Sequence, residues 1–319
     1  MHVFVTGGSG LTGPSIVAGL IAAGHSVTGL ARSEASAGRL RGLGAGVLRG
    51  DLDDLDSLRA GAASADGVVH MAFGGDFADT GDMMRRDRAA ITALGEGLAS
   101  SGTGTSASSA TSSGQGKPFV ITSGTLVMPA GRVSGEGDVP DPASIAGFRI
   151  PGEQACLGFA GRGVRSVVVR LAPTVHGPGD VGFIAMLVQA ARRTGVSAHV
   201  GTGANRWPAI HRSDAATLYR LALEKAPAGS VLHGASESAV TMRGIAGEIG
   251  EGLGLPVVSV TRDEAAAHFG SPFMAAVYGT DCPASSARTR SLLGWAPSRP
   301  GLLADLRDGD YLTVAVSQP

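Results

Sequence analysis

Tyrosine, cysteine and lysine are scarce in this chain. Three tyrosines (Tyr219, Tyr278, Tyr311), two cysteines (Cys156, Cys282) and two lysines (Lys117, Lys225) occur in 319 residues. Two cysteines cannot build a disulfide framework, so a reduced setting is the default. The opening MHVFVTGG has no basic segment followed by an apolar signal core, and the expected location is cytoplasmic. No run of 18 apolar residues is present, so no membrane span is expected. The formal net charge is -1 and long basic runs are absent, which argues against nucleic acid as a partner. The histidines are scattered, without H-E-x-x-H or paired cysteine spacing, so no metal site is expected.

Against these absences, 43% of the residues are hydrophobic, enough for a substantial core. The first half alternates. HVFVT (2–6), SVTGLA (26–31), GVLRG (46–50), DGVVHMAF (66–73), PFVITS (118–123) and VRSVVVRLA (164–172) read as strands. Helical spacing lies between them, as in Ile16, Val17, Leu20 and Ile21. This rhythm predicts an α/β fold of the Rossmann type, a doubly wound parallel sheet. Residues 1–175 are expected to form the dinucleotide-binding domain. Residues 176–319 are expected to form mainly a smaller C-terminal substrate lobe, with 205–226 returning to the Rossmann core. Helices are expected at roughly 182–194 and 213–225. Residues 100–117, SSGTGTSASSATSSGQGK, read as a flexible surface loop because they offer no apolar anchor.

The strongest local signal is VFVTGGSGLTGPS. Gly7, Gly10 and Gly13 stand between a predicted strand and a predicted helix. The first allows a tight turn, the second lets backbone approach a pyrophosphate, and the third lets the helix pack on the strand. The helix N-terminus then faces the phosphate charge.

VTGGSGLTG resembles the opening of the extended short-chain dehydrogenases/reductases, the NAD-dependent epimerase/dehydratase group. Further segments resemble that family in the right order: GDL (50–52), VVHMAF, VVVRLAPTVHGPGD (167–180), RWPAIHRSDAATLYRLAL and TRSLLGWAPSRPGLLADL. The resemblance implies that a nicotinamide dinucleotide is held by Gly7, Ser9, Gly10, Leu11, Thr12 and Gly13 at the phosphates. It implies Asp51 and Leu52 at the adenine, and Met71, Ala72 and Phe73 along the adenosine ribose. Arg149, Pro173, Thr174 and Val175 would lie towards the nicotinamide. Taken singly, Asp51 reads equally well as a helix N-cap before Leu55, and His70 as a satisfied sheet-end histidine. His211 and Asp214 read as anchors of the helix that begins near 213.

The position that holds a carboxylate in NAD-type sites is Ala31 by this resemblance, followed by Arg32 and Ser33. A cation and a hydroxyl there suit a 2′-phosphate, so NADP(H) is expected over NAD(H). The family's catalytic Tyr-x-x-x-Lys pair, located from Glu153, falls on Ile145 and Arg149. Arginine can bond a ribose hydroxyl but cannot shuttle protons. By the resemblance the job left to Arg149 is the ribose contact, so Arg149→Lys is expected to be nearly silent. Gly124 falls at the family's hydroxyl position, flanked by Ser123 and Thr125, leaving Thr125, Ser123 and Arg149 as the candidate catalytic set.

These readings imply an atypical NADP(H)-dependent oxidoreductase acting on a small organic carbonyl or conjugated substrate. Phe183, Met186, Phe269, Phe273 and Met274 suggest a bulky, apolar one, although each singly reads as core. A homodimer is possible. A cofactor-binding sensor without turnover, or a redox-neutral epimerase- or dehydratase-like enzyme, stays open as an alternative.

Overall fold

The computed structural model describes residues 1–74, 80–101 and 116–313. Most of the Gly/Ser/Thr segment lies outside the described residues. The first half runs β1 (His2–Thr6), α1 (Gly13–Ala22), β2 (Ser26–Ala31), α2 (Glu34–Gly42), β3 (Gly46–Arg49), α3 (Leu55–Ala63), β4 (Gly67–His70), α4 (Thr80–Ser101), β5 (Pro118–Gly124), α5 (Ile150–Leu157) and β6 (Arg165–Leu171). Then follow β7 (Thr174–His176), α6 (Phe183–Thr194), β8 (Ser197–Val200), β9 (Arg206–His211), α7 (Arg212–Lys225), β10 (Ser230–Gly234), β11 (Glu237–Thr241), α8 (Met242–Leu253) and β12 (Val257–Val260). Four short helices close the described chain: α9 (Arg262–Phe269), α10 (Pro272–Gly279), α11 (Ala287–Leu293) and α12 (Leu302–Asp308).

Seven strands form one parallel sheet in the order β10-β6-β5-β4-β1-β2-β3. This is the Rossmann-type doubly wound α/β architecture expected. Helices cover both faces, which is why β6 is buried at every residue, with the apolar run Val167–Val168–Val169 at its centre. On one face α1 and α7 bring Ile16, Leu20, Leu218 and Tyr219 against the sheet. On the other, α3, α4 and α5 bring Leu58, Ile91, Leu94 and Cys156. The edge strand β10 is too short and too weakly patterned to be read from sequence.

One charged residue in β6 has a structural task. The Arg165 guanidinium donates to Leu223 O at 2.5 Å and Ala226 O at 2.9 Å. These carbonyls at the C-terminal end of α7 lack intrahelical partners, so the cation satisfies them and complements the helix dipole.

The C-terminal lobe has its own core around Trp207, Ile245, Ile249, Tyr278, Leu302 and Leu306. It carries a three-stranded sheet, β11-β9-β7, and a two-stranded one, β12-β8. β7 follows directly from β6, so the lobe begins at the C-terminal edge of the main sheet. The strand order reverses between β1 and β4, and in such folds ligands bind in the crevice outside the strand ends at that point.

Candidate active site

The turn from β1 into α1 is built by close backbone contact. Gly7 has φ +74°, and a Cβ there would lie 2.5 Å from Ala72 N. A side chain on Gly13 would collide with the backbone of Gly7 and Gly8. Gly10 N donates to Gly7 O at 3.0 Å and closes the turn. Ser9, Leu11 and Thr12 complete it, with Leu11 exposed at the tip. Thr12 occupies the N-cap position of α1 without a side-chain cap bond. The first-turn N–H groups are therefore left for another acceptor, as an anion-binding helix end requires. The turn fits a dinucleotide phosphate on these grounds.

Beside it, Met71 N donates to Thr6 O and starts the Met71–Ala72–Phe73 segment leaving β4. His70 is buried between Thr6 Oγ1, at 2.7 Å from Nδ1, and Asp87 Oδ1, at 3.2 Å from Nε2. Both ring nitrogens are engaged. At the end of β2, Ser33 caps α2 by accepting from Ser36 N, whereas exposed Arg32 has no hydrogen bond or ion pair among the described residues. The helix cap before Leu55 is Asp54, not Asp51. Asp51 instead accepts from Asp53 N at 2.9 Å and Asp54 N at 3.2 Å, which shapes the loop ahead of the half-buried Leu52 and α3.

At the C-terminal end of β5, Ser123 and Thr125 are buried, and neither hydroxyl has a hydrogen-bond partner among the described residues. Buried polar groups are nearly always paired, so two orphans in adjacent turns stand out. Arg149 Nη2 donates to Thr122 O at 2.8 Å. Its guanidinium carbon lies 3.8 Å from the centre of the Phe73 ring, which in turn stacks on Phe148 at 6.2 Å. Burial pushes the Arg149 pKa down, while Asp87, Tyr219 and Glu153 oppose that shift. A cavity too small to admit a water molecule is lined by Asp87, Thr122, Ser123, Arg149, Gly152 and Glu153, together with Ile91 and Ile121. Thr125 does not line it. Below the cavity Glu153 accepts three hydrogen bonds from Arg170, the shortest 2.7 Å, both side chains being almost fully buried. Asp87 belongs to no motif, and although Arg170 and Glu153 lie in or beside segments that resemble the family, nothing in their spacing signals that they pair.

Ile145 is half-buried and packs towards the lobe core. None of the three phenols takes its place. Tyr219 is fully buried in α7 and bonds Thr122 Oγ1 at 2.5 Å. Tyr278 donates to Phe183 O at 2.9 Å inside a cluster with Phe183, Trp207 and Phe269. Tyr311 donates to Asp180 Oδ2 at 2.8 Å. Burial raises the pKa of all three. Of the apolar residues assigned to a substrate pocket, Phe269 is lobe core, Phe183 and Met274 are half-buried against it, and Met186 and Phe273 are exposed.

Thr174 is buried with its hydroxyl unpartnered among the described residues, between half-buried Pro173 and Val175. His176 Nδ1 lies 2.7 Å from Asp305 Oδ2 and its ring packs edge-on against His211. His211 accepts from Ser213 N as the cap of α7, and Asp214 accepts from Ser298 N and Arg299 N. Among the described residues no group of three histidine, cysteine or acidic side chains is placed to hold a metal ion.

The model of the NAD dependent epimerase/dehydratase family matches residues 3–233. The chain belongs to this family. An uncharacterized protein of Schizosaccharomyces pombe is 42% identical over 313 residues, 98% of this chain and 100% of that protein. A 4-hydroxy-2-methyl-3-oxo-4-farnesyl-3,4-dihydroquinoline-1-oxide ketoreductase of Stigmatella aurantiaca is 42% identical over 72 residues, 23% of this chain and 22% of that one. Among solved structures, dTDP-glucose 4,6-dehydratase from Streptomyces venezuelae, with NAD and TYD bound, superposes with TM-score 0.77 at 18% identity. That match covers 98% of this chain and 96% of the other, a likeness of fold. This epimerase/dehydratase family member also has no helix, among the described residues, long and apolar enough to cross a membrane.

Proposed function

We propose that the protein is an NADP(H)-dependent reductase of a small organic carbonyl or conjugated compound. The observation that carries the reading is the pair of buried hydroxyls of Ser123 and Thr125 at the C-terminal end of β5, without hydrogen-bond partners among the described residues, on the segment where by resemblance the family binds substrate oxygen. Two unpartnered donors are suited to a developing oxyanion, which strengthens hydrogen bonds in the transition state more than in the ground state. A bound nicotinamide would supply the hydride. Arg149 would hold a ribose hydroxyl, its planar donors being already fixed by Thr122 O and the Phe73 ring. Arg149 is not the proton donor, because guanidinium does not release its proton in the working range. Solvent would deliver the proton to the oxygen that Ser123 and Thr125 hold. Arg32, which has no hydrogen bond or ion pair among the described residues, favours the 2′-phosphate of NADP(H), while the Ser33 hydroxyl caps α2 beside it. The short stretch of likeness to a ketoreductase agrees with carbonyl reduction of an apolar compound.

The test is NADPH oxidation followed at 30 enones, quinones and ketones or so, beside direct titration of NADPH and NADH. Turnover of several carbonyls with tighter NADPH than NADH binding is expected. Binding without turnover of any compound would leave a sensor in place of an enzyme. The family itself supports a second reading, a redox-neutral epimerase or dehydratase. Cofactor retained through purification, with no net NADPH consumption, would favour it.

A further inference from the structure

The segment resembling V-H-V-D-D-L-A reads IHRSDAA here and carries Arg212 where that pattern has its second valine. The side chain crosses to the phosphate turn. Arg212 Nη2 donates to Leu11 O at 3.0 Å, 201 residues away in sequence, and Nη1 donates to Pro178 O. Glycines make room for it. A Cβ on Gly177 would lie 3.0 Å from Arg212 Cγ and Cδ, and one on Gly179 would lie 3.5 Å from Nη1. Among the described residues no carboxylate lies within ion-pair distance of the guanidinium. Two main-chain carbonyls are thus its hydrogen-bond partners, and the Asp180 carboxylate is near enough for the cation to oppose the burial-driven rise of its pKa, beside a turn without a side-chain cap.

We propose that Arg212 is a ligand of the cofactor's diphosphate. The inference rests on the dinucleotide reading of the Gly7–Gly13 turn and adds a residue from the other lobe to it. A carbonyl is a weaker acceptor for guanidinium than a phosphate, to which it can donate two parallel bonds. Arg212 exchanges the Leu11 and Pro178 carbonyls for diphosphate oxygens when the dinucleotide enters. The strap between phosphate turn and lobe becomes a clamp over the ligand.

The experiment uses the full chain with Arg212→Ala, Arg212→Gln and Arg212→Lys, titrated with ADP-ribose, NADPH and adenosine over a range of salt. ADP-ribose isolates the diphosphate from the nicotinamide, and adenosine carries no phosphate. The expected result is a 10- to 100-fold rise in the ADP-ribose and NADPH dissociation constants for Ala and Gln, corresponding to one charge-assisted contact. Arg212→Lys should lose less, adenosine binding should be unchanged, and the salt dependence of ADP-ribose binding should become shallower. Gln keeps a donor for the carbonyls without the charge, so a strap of purely structural importance would leave Gln near the unaltered protein. ADP-ribose binding within threefold of the unaltered protein in both Ala and Gln overturns the assignment of Arg212 alone. Failure of the unaltered protein to bind ADP-ribose or NADPH overturns the dinucleotide reading with it. If Arg212→Ala does not fold, the comparison of Gln with Lys decides.

Discussion

Replacing Arg149 by lysine separates a charge from a shape. The guanidinium carbon lies over the Phe73 ring, 3.8 Å from its centre, and Nη2 donates to Thr122 O at 2.8 Å. Lysine keeps the charge and can reach one carbonyl. It loses the planar stack, and its ammonium is more strongly hydrated than guanidinium and so pays more to enter a buried site. A desolvated cation–π contact is worth about 2 kcal/mol, so Arg149→Lys should destabilise the fold by roughly 1–2 kcal/mol. Arg149→Ala also removes a charged hydrogen bond worth about 1.5–3 kcal/mol, for a total near 3–5 kcal/mol. With an unfolding entropy of about 2 cal/mol/K per residue, a chain of this length has roughly 0.7 kcal/mol/K at its midpoint. The expected midpoint shifts are therefore about 1.5–3 °C for lysine and about 4–7 °C for alanine. Thermal melts followed by circular dichroism, with and without saturating NADPH, give both stability and binding. NADPH should raise the melting temperature of either variant less than that of the unaltered protein. A lysine variant within half a degree or so of the unaltered protein in both states would refute the stacking argument and restore the sequence-based expectation of a silent exchange.

Further consequences can be measured on the same preparation. Arg32→Ala should remove most of any NADPH preference, a loss of about 1.5–3 kcal/mol in relative affinity; unchanged preference would exclude Arg32 from the 2′-phosphate site. Thr125→Ala should lower kcat about 10- to 100-fold on whichever carbonyl is found, with NADPH affinity intact, and a silent change would leave Ser123 as the substrate's donor. Glu153→Gln should destabilise by about 3–5 kcal/mol because Arg170 is then an uncompensated buried charge, while the pair Glu153→Leu with Arg170→Met should recover most of that in a denaturant titration. Burial lowers the pKa of His211, His233 and His268 below the ordinary 6.5, with His176, Arg170 and Arg193 respectively adding to the shift. A depressed histidine contributes stability that is fully present above its unfolded pKa. The melting temperature should therefore fall as pH drops below about 6.5, and a flat profile between pH 7 and 5 would contradict this assignment.

The parallel sheet was legible because burial on both faces leaves apolar runs between regular helical spacings, as HVFVT and VVVRL illustrate. The phosphate turn was legible because Gly7 and Gly13 are forced by backbone contacts that no side chain could tolerate. What escaped the sequence has a different physical character. Asp54 and Asp51 are both aspartates ahead of a helix, and spacing alone did not decide which one caps it. β10 pairs with β6 at the sheet's edge, where five residues of ordinary composition suffice. Nothing around Tyr278 in the sequence announces that its hydroxyl is committed to Phe183 O beside the lobe core.

The floor of the candidate site is the clearest case. Asp87 comes from α4, Ser123 from β5, Glu153 from α5 and Arg170 from β6, so sequence separations of 17 to 36 residues converge within one cavity wall or directly beneath it. No short motif records such a convergence, because it depends on the order β6-β5-β4 in the sheet rather than on neighbours in the chain. The same order brings His70, at the end of β4, between Thr6 on β1 and Asp87 on α4. A hydrogen-bonded line thus runs from the phosphate turn, where Ala72 N donates to Thr6 Oγ1, to the carboxylate that lines the cavity beside Arg149. Two proposed ligand-contact regions are therefore coupled through a buried polar chain, not through apolar packing alone. Each member fixes the rotamer of the next, since an unpaired polar group in that interior costs about 1–3 kcal/mol. Ser123 and Thr125 stand at the far end of this arrangement, on and just after β5, with hydroxyls that have no hydrogen-bond partner among the described residues.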